Sequence, residues 1–167
     1  MYRHPLIGIS LLLAACTGDI TTADRDAFQS QQSTQVLTTI PFAGRCETSF
    51  VFTGQSAITI ASVCQMRGIG RVTGVTQQIL DFSQIAVTGL IGISNTSVYT
   101  TPNGDQLFAT FTGTGTQAGP DIALDGVETI TGGTGRFTGA SGSALLVGAA
   151  SLVTSTGHYT TTGTVTR

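Results

Sequence analysis

The sequence has no tryptophan and no lysine, and only 10% of its 167 residues are charged. Each shortage excludes something. Without lysine there is no Schiff-base nucleophile, and a phosphate-cradling GxxxxGK[ST] loop is ruled out. The basic residues are all arginine and form no patch or stripe, which leaves no footing for nucleic-acid binding by counterion release. The same scarcity gives no electrostatic hold on anionic lipid. No apolar run approaches the roughly 20 residues that a membrane-spanning helix needs. Histidine is nearly absent too: His4 stands in the leader, and only His158 lies beyond it.

What is present is a β-rich alphabet. Glycine numbers 22, hydrophobic residues make up 40%, and the formal net charge is -2. Serine and threonine together supply about a quarter of the chain, well above ordinary usage. That hydrophobic content is enough to bury a core, and so low a net charge argues against disorder. Short Thr/Val/Ile/Phe runs punctuated by glycine point to one all-β domain.

The N-terminus reads as an export signal. Arg3 and His4 form a positive start, Leu6 to Leu13 is a brief apolar stretch, and Leu13-Ala14-Ala15-Cys16 follows. The stretch is too short to cross a bilayer, which favours a cleaved leader over residues 1–15. Removing Arg3 with it makes the mature chain one unit more negative. Leu-Ala-Ala-Cys resembles the bacterial lipobox, in which the cysteine thiol takes diacylglycerol and the chain is cut just before it. That resemblance implies lipidation at Cys16 and anchoring in the bacterial cell envelope. Thr17, where an aspartate would signal retention, implies the outer membrane, facing periplasm or surface. The competing reading is an ordinary signal peptide with an incidental cysteine. Residues 16–33 are polar and lack an apolar period, as expected of a flexible tether; residues 34–167 form the domain.

Cys46 and Cys64 remain in the mature domain. In an exported protein an even pair points to a disulfide closing an 18-residue separation. The alternative is two reduced, buried cysteines. A metal site is not expected, because only His158 could join them and no CxxC spacing exists. No cofactor is expected either.

Period-2 runs dominate the domain. They cover Val36 to Phe42 with a stop at Gly44, then Glu47 to Thr53, with Phe50 and Phe52 on one face. Ala57 to Met66 puts Ile58, Ile60 and Cys64 on one face. Arg71 to Phe82 continues toward Ile93, and Ser97 to Thr101 stops at the turn Pro102-Asn103-Gly104-Asp105. Gln106 to Thr114, Ile122 to Ile130, Ser143 to Val153 and Thr156 to Val165 complete about eight to ten strands with no convincing helix. A closed antiparallel barrel of about eight strands follows, with a β-sandwich as the alternative. Ala144 to Ala150 is apolar on both faces. Its outer face needs a covering subunit in a homo-oligomer, or else stands exposed as small residues at little cost.

Two segments carry a family resemblance. Ile130-Thr131-Gly132-Gly133-Thr134-Gly135-Arg136-Phe137-Thr138-Gly139-Ala140-Ser141-Gly142 resembles a glycine-rich segment of dirigent proteins and of the allene oxide cyclase barrel-like group. Asn103-Gly104-Asp105-Gln106-Leu107-Phe108 is similar to a strand opener in bacterial proteins of that kind. The resemblance implies an eight-stranded calycin-type barrel, trimeric in many plant members. It also implies a lumen that steers a reactive apolar substrate largely by shape. No functional residue of the family transfers to a position here. Physically, Gly132, Gly133 and Gly135 suit a tight reversal with positive φ. Phe137 is expected to plug a barrel end, and Gly139 and Gly142 to let the chain pack closely as it re-enters a strand.

Acid–base groups are sparse. His158 alternates with Thr156, Thr160 and Thr162, which places it on an outer face. Asp125 and Glu128 have odd separation, so a strand sends them to opposite faces and they make no carboxylate pair. Asp105 belongs to the turn. Ser141 lies outside any GxSxG elbow. No catalytic residue is assigned. The expectation is a non-enzymatic, lipid-anchored barrel binding a small apolar ligand or serving an interaction role. The alternative is a cyclase-, isomerase- or dirigent-like enzyme.

Overall fold

The computed structural model describes residues 37–167; the leader, Cys16 and the tether lie outside the described residues. Eight strands close into one antiparallel barrel. They are β1 (Thr39–Phe52), β2 (Ala57–Arg67), β3 (Gly70–Asp81), β4 (Leu90–Thr100), β5 (Gln106–Ala118), β6 (Asp121–Gly133), β7 (Ser141–Ser151) and β8 (Thr156–Thr166). Each strand pairs with the next, and β1 pairs with β8 from Thr39↔Thr166 to Ser49↔Thr156. Closure leaves no free edge, so a chain without lysine gatekeepers needs none. The sandwich alternative is excluded.

The turns are set by local chemistry. Gly104 adopts φ 88 in the Pro102-Asn103-Gly104 reversal, where Thr101 N–H donates to the Asp105 carbonyl at 2.9 Å. Gly119-Pro120 joins β5 to β6 in two residues, with Ala118 opposite Asp121.

Two strand boundaries differ from the sequence reading. Gly44 does not end a strand; β1 runs through it. A side chain there would press on Met66, 2.7 Å from its Cγ, so this glycine serves close packing rather than a turn. Nor does β-structure continue from Phe82 toward Ile93. Asp81 accepts from the Ser83 backbone N–H at 2.9 Å, and a one-turn helix α1 (Ile85–Thr88) ends at Gly89 with φ 73. From Leu90 the chain is one strand to Thr100.

The inward faces form two packed groups. One includes Phe42, Cys46, Cys64, Met66, Val72, Leu107, Ile130 and Val165, and it fills one half of the barrel. Phe137, on a single 3-10 turn (Gly135–Phe137), is fully buried there and closes that end. Arg136 and Arg167 place their guanidinium carbons 4.7 and 5.4 Å from the Phe137 ring centre. Arg136 Nη2 also donates to the Ile69 carbonyl at 2.7 Å. The plug expected at Phe137 is present.

The glycine roles around it are partly different. Gly135 needs its φ of 56 and lies against the Asp105 carboxylate. Gly133 is not left-handed; a side chain there would strike Phe137 and the Gln106 carbonyl. Gly142 does approach the Thr164 backbone closely, whereas Gly139 has open space around it and is required for its φ of 73.

On β7, Leu146 points inward while Leu145 and Val147 are 66% and 58% exposed. No described residue of the chain covers that outer face. Among the described residues no helix is long and apolar enough to cross a membrane.

Candidate functional site

The other half of the lumen is not filled. It contains a cavity of about 90 Å³, counted as the room open to the centre of a water-sized sphere. An apolar cavity of about 150 Å³ holds benzene, so this one accepts a small apolar group with the remainder of a larger ligand toward the rim. Phe50, Phe111, Ile122, Leu124 and Leu146 form much of its wall, and half-exposed Phe52 marks the rim. Glycine makes part of this room. Gly113 and Gly126 face each other across β5 and β6, and a side chain at either would collide with the Phe111 ring.

At the inner end of the cavity three polar side chains meet. Glu128 from β6 is only 3% exposed. Tyr99 from β4 donates its hydroxyl to Glu128 Oε1 at 2.5 Å. Tyr159 from β8 lies 3.1 Å from the Tyr99 oxygen. Since Tyr99 spends its proton on Glu128, Tyr159 is the donor in that pair. The Tyr159 oxygen is also 3.6 Å from Cys64 Sγ. Cys64 is joined to Cys46, directly opposite in the β1–β2 register, by the expected disulfide. The pair rules out the reduced alternative and forms part of the floor beneath the tyrosines.

Backbone economy lets these rings in. Gly74 stands opposite Tyr99, and a side chain there would meet the Tyr99 ring at 2.9 Å. Gly148 stands opposite Tyr159 and clears its Cβ in the same way.

Burial shifts all three groups toward their neutral forms. Desolvation raises the Glu128 pKa above its ordinary value of 4.5, and the Tyr99 hydrogen bond only partly offsets it. Desolvation, with Glu128 and Tyr159 nearby, pushes Tyr99 well above 10.0. Tyr159 is raised to about 12, mainly by burial. Protonated, Glu128 accepts from Tyr99 through one oxygen and retains an O–H to give. The arrangement can therefore hold a neutral hydrogen-bonding group at the inner end of an apolar chamber.

The residues weighed from sequence are distributed differently. His158 is exposed on the outer face of β8, as its alternation with threonine indicates. Asp125 is exposed and Glu128 buried, so the two carboxylates do point apart. Asp105 sits at the turn and faces Arg136 across 3.7 Å. Tyr99 and Tyr159 were not singled out, and Glu128 was weighed only as half of a pair. One signal was available. Glu128 shares the inward register of Ile122, Leu124 and Ile130, and an inward carboxyl among apolar neighbours demands a partner. Its partners lie 29 and 31 positions away in sequence, on other strands.

No family model, no curated protein and no solved structure matches this chain. The site's chemistry therefore has to be argued from its own residues.

Proposed function

We propose that this chain is an exported, lipid-anchored envelope barrel that binds a small neutral, apolar ligand in its lumen and is not an enzyme. The observation that carries the reading is the apolar cavity ending at the buried Glu128–Tyr99–Tyr159 group. Ligand sites are commonly apolar chambers with a few converging polar groups. The lipobox-like Leu13-Ala14-Ala15-Cys16 supports placement at the outer membrane, with lipid at Cys16. The glycine-rich segment's resemblance to the allene oxide cyclase barrel-like and dirigent groups is in keeping with a lumen that acts by shape.

Two experiments test this. Organic extraction of the purified protein, followed by mass spectrometry, is expected to release a neutral apolar compound or to leave a lumen that 1-hexanol saturates. A protein that yields no compound and shows no saturable hexanol binding overturns the ligand reading. Separately, Cys16→Ser is expected to move the protein out of the membrane fraction.

The raised Glu128 pKa favours one second reading, an enzyme with Glu128 as general acid, because perturbed carboxyls in clefts often do proton transfer. That reading requires turnover of an apolar substrate that Glu128→Gln abolishes.

A further inference from the structure

We infer that the lumen recognises an apolar molecule carrying two oxygen functions: one at Glu128 and one at the Gln78–Asn95 pair. The inference rests on the ligand reading above and narrows it. Two adjacent strands give the cavity a polar seam. From the floor toward the rim, the inward register pairs of β3 and β4 are Gly74↔Tyr99, Thr76↔Ser97, Gln78↔Asn95 and Leu80↔Ile93. Phe111 on β5 lies beside Asn95 in register, and Phe50 and Leu146 on β1 and β7 add apolar wall elsewhere in the chamber.

The seam's hydrogen bonds leave a specific surplus. Ser97 Oγ donates to Asn95 Oδ1 at 3.3 Å. Its single proton is then spent, so in the 2.8 Å contact with Thr76 the Thr76 hydroxyl must donate. Both hydroxyl protons are thus consumed inside the wall. The Asn95 amide has its two N–H donors left, and neither they nor the Gln78 amide bonds another described side chain.

Beyond the amides the wall turns apolar again at Leu80 and Ile93, both buried, while Gln78 and Asn95 are half-buried and their amides stay open to the chamber. A ligand oxygen there exchanges water for a direct hydrogen bond to these donors beside an apolar wall. Among the described residues the lining holds no arginine; its one imidazole is that of His158, an exposed residue of β8, and a carboxylate ligand would also meet the Glu128 carboxyl. The class is a neutral hydrocarbon skeleton with hydroxyl, carbonyl or ether oxygens at two separate positions.

The test compares 1-hexanol with the isomeric hexanediols, read by the side-chain amide resonances of Asn95 and Gln78 in the purified chain. An apolar chamber without a second polar point should bind every diol at least about tenfold more weakly than 1-hexanol, because the added hydroxyl is desolvated unpaired. We expect at least one isomer to bind as tightly as 1-hexanol and to move both amide resonances. Asn95→Leu combined with Gln78→Leu should then weaken that isomer about tenfold and leave 1-hexanol within about twofold. If every diol is tenfold weaker in the unmodified protein, the inference is overturned, whether or not the double variant folds. If 1-hexanol binds while the diols fail, the ligand reading survives without this refinement. If neither 1-hexanol nor any diol binds, the inference falls, and the ligand reading falls with it when extraction also releases no compound.

Discussion

Glu128 is the residue on which the chemistry turns. A carboxyl among Ile122, Leu124 and Ile130 is tolerated because Tyr99 hydrogen-bonds it and because burial shifts it toward its neutral form. The native protein holds that proton to higher pH than the unfolded chain does. Stability is therefore greatest below the unfolded value near 4.5, and is lost as pH rises until the folded group ionises. Glu128→Gln keeps an acceptor for Tyr99 and removes the ionisation. Urea unfolding from pH 4 to pH 8 should show a decline in the native protein that is flattened in Glu128→Gln. An unchanged slope in the variant would place the pH dependence elsewhere. His158, by contrast, is exposed on β8, and its replacement should leave the Glu128–Tyr99–Tyr159 group intact.

At the scale of elements, two fastenings hold the filled end of the barrel. The Cys46–Cys64 bridge ties β1 to β2 across a separation of 18 residues. Loop-closure entropy for such a length suggests about 3 kcal/mol of stabilisation. Denaturant midpoints measured with and without reductant should differ by that order. Thiol titration of the unfolded, unreduced mature domain should find neither Cys46 nor Cys64 free. The second fastening is the 3-10 turn that inserts Phe137 between Arg136 and Arg167. Phe137→Ala should cost about 3–5 kcal/mol by leaving a cavity in a fully buried position. Calorimetry checks the loss, and the variant should gain a binding site for small apolar probes at the closed end. The interruption between β3 and β4 is an element of another kind. Asp81 and Gly89 bracket a single helical turn where the residue types still read as strand, because the Asp81–Ser83 turn and the left-handed Gly89 override a weak β preference.

For the whole barrel the decisive contact is where its last strand meets its first. Thr38 and Arg167 exchange two backbone hydrogen bonds of 2.9 and 3.1 Å, which complete the β1–β8 seam. Barrel ends this close permit circular permutation of residues 37–167. A chain with these ends joined by a short linker, and reopened at the exposed Asn103-Gly104 turn, should regain the same β-rich circular dichroism and the same disulfide. Failure to fold would mean that the β4–β5 turn must form early and intact. The exposed Leu145 and Val147 belong to this scale as well: no other described residue covers this outward face of the barrel.

The alternation of apolar and polar residues by itself determined the strands, their inward faces, the all-β class and the turn at Pro102-Asn103-Gly104. Those are local matters, governed by a period of two and by the backbone freedom of a few residues. Cys46 and Cys64, expected as a pair if the chain is exported, stand opposite each other in the β1–β2 register. Only the tertiary structure decided that Gly44 lies within a strand, because the pressure that requires a glycine there comes from Met66 on β2. Only it brought Tyr99 and Tyr159 to Glu128, and the free amides of Gln78 and Asn95 to the same chamber. The physical reason is that the lumen belongs to no single segment. Eight strands each contribute inward residues, and which of them meet depends on register and closure, quantities that no local pattern encodes.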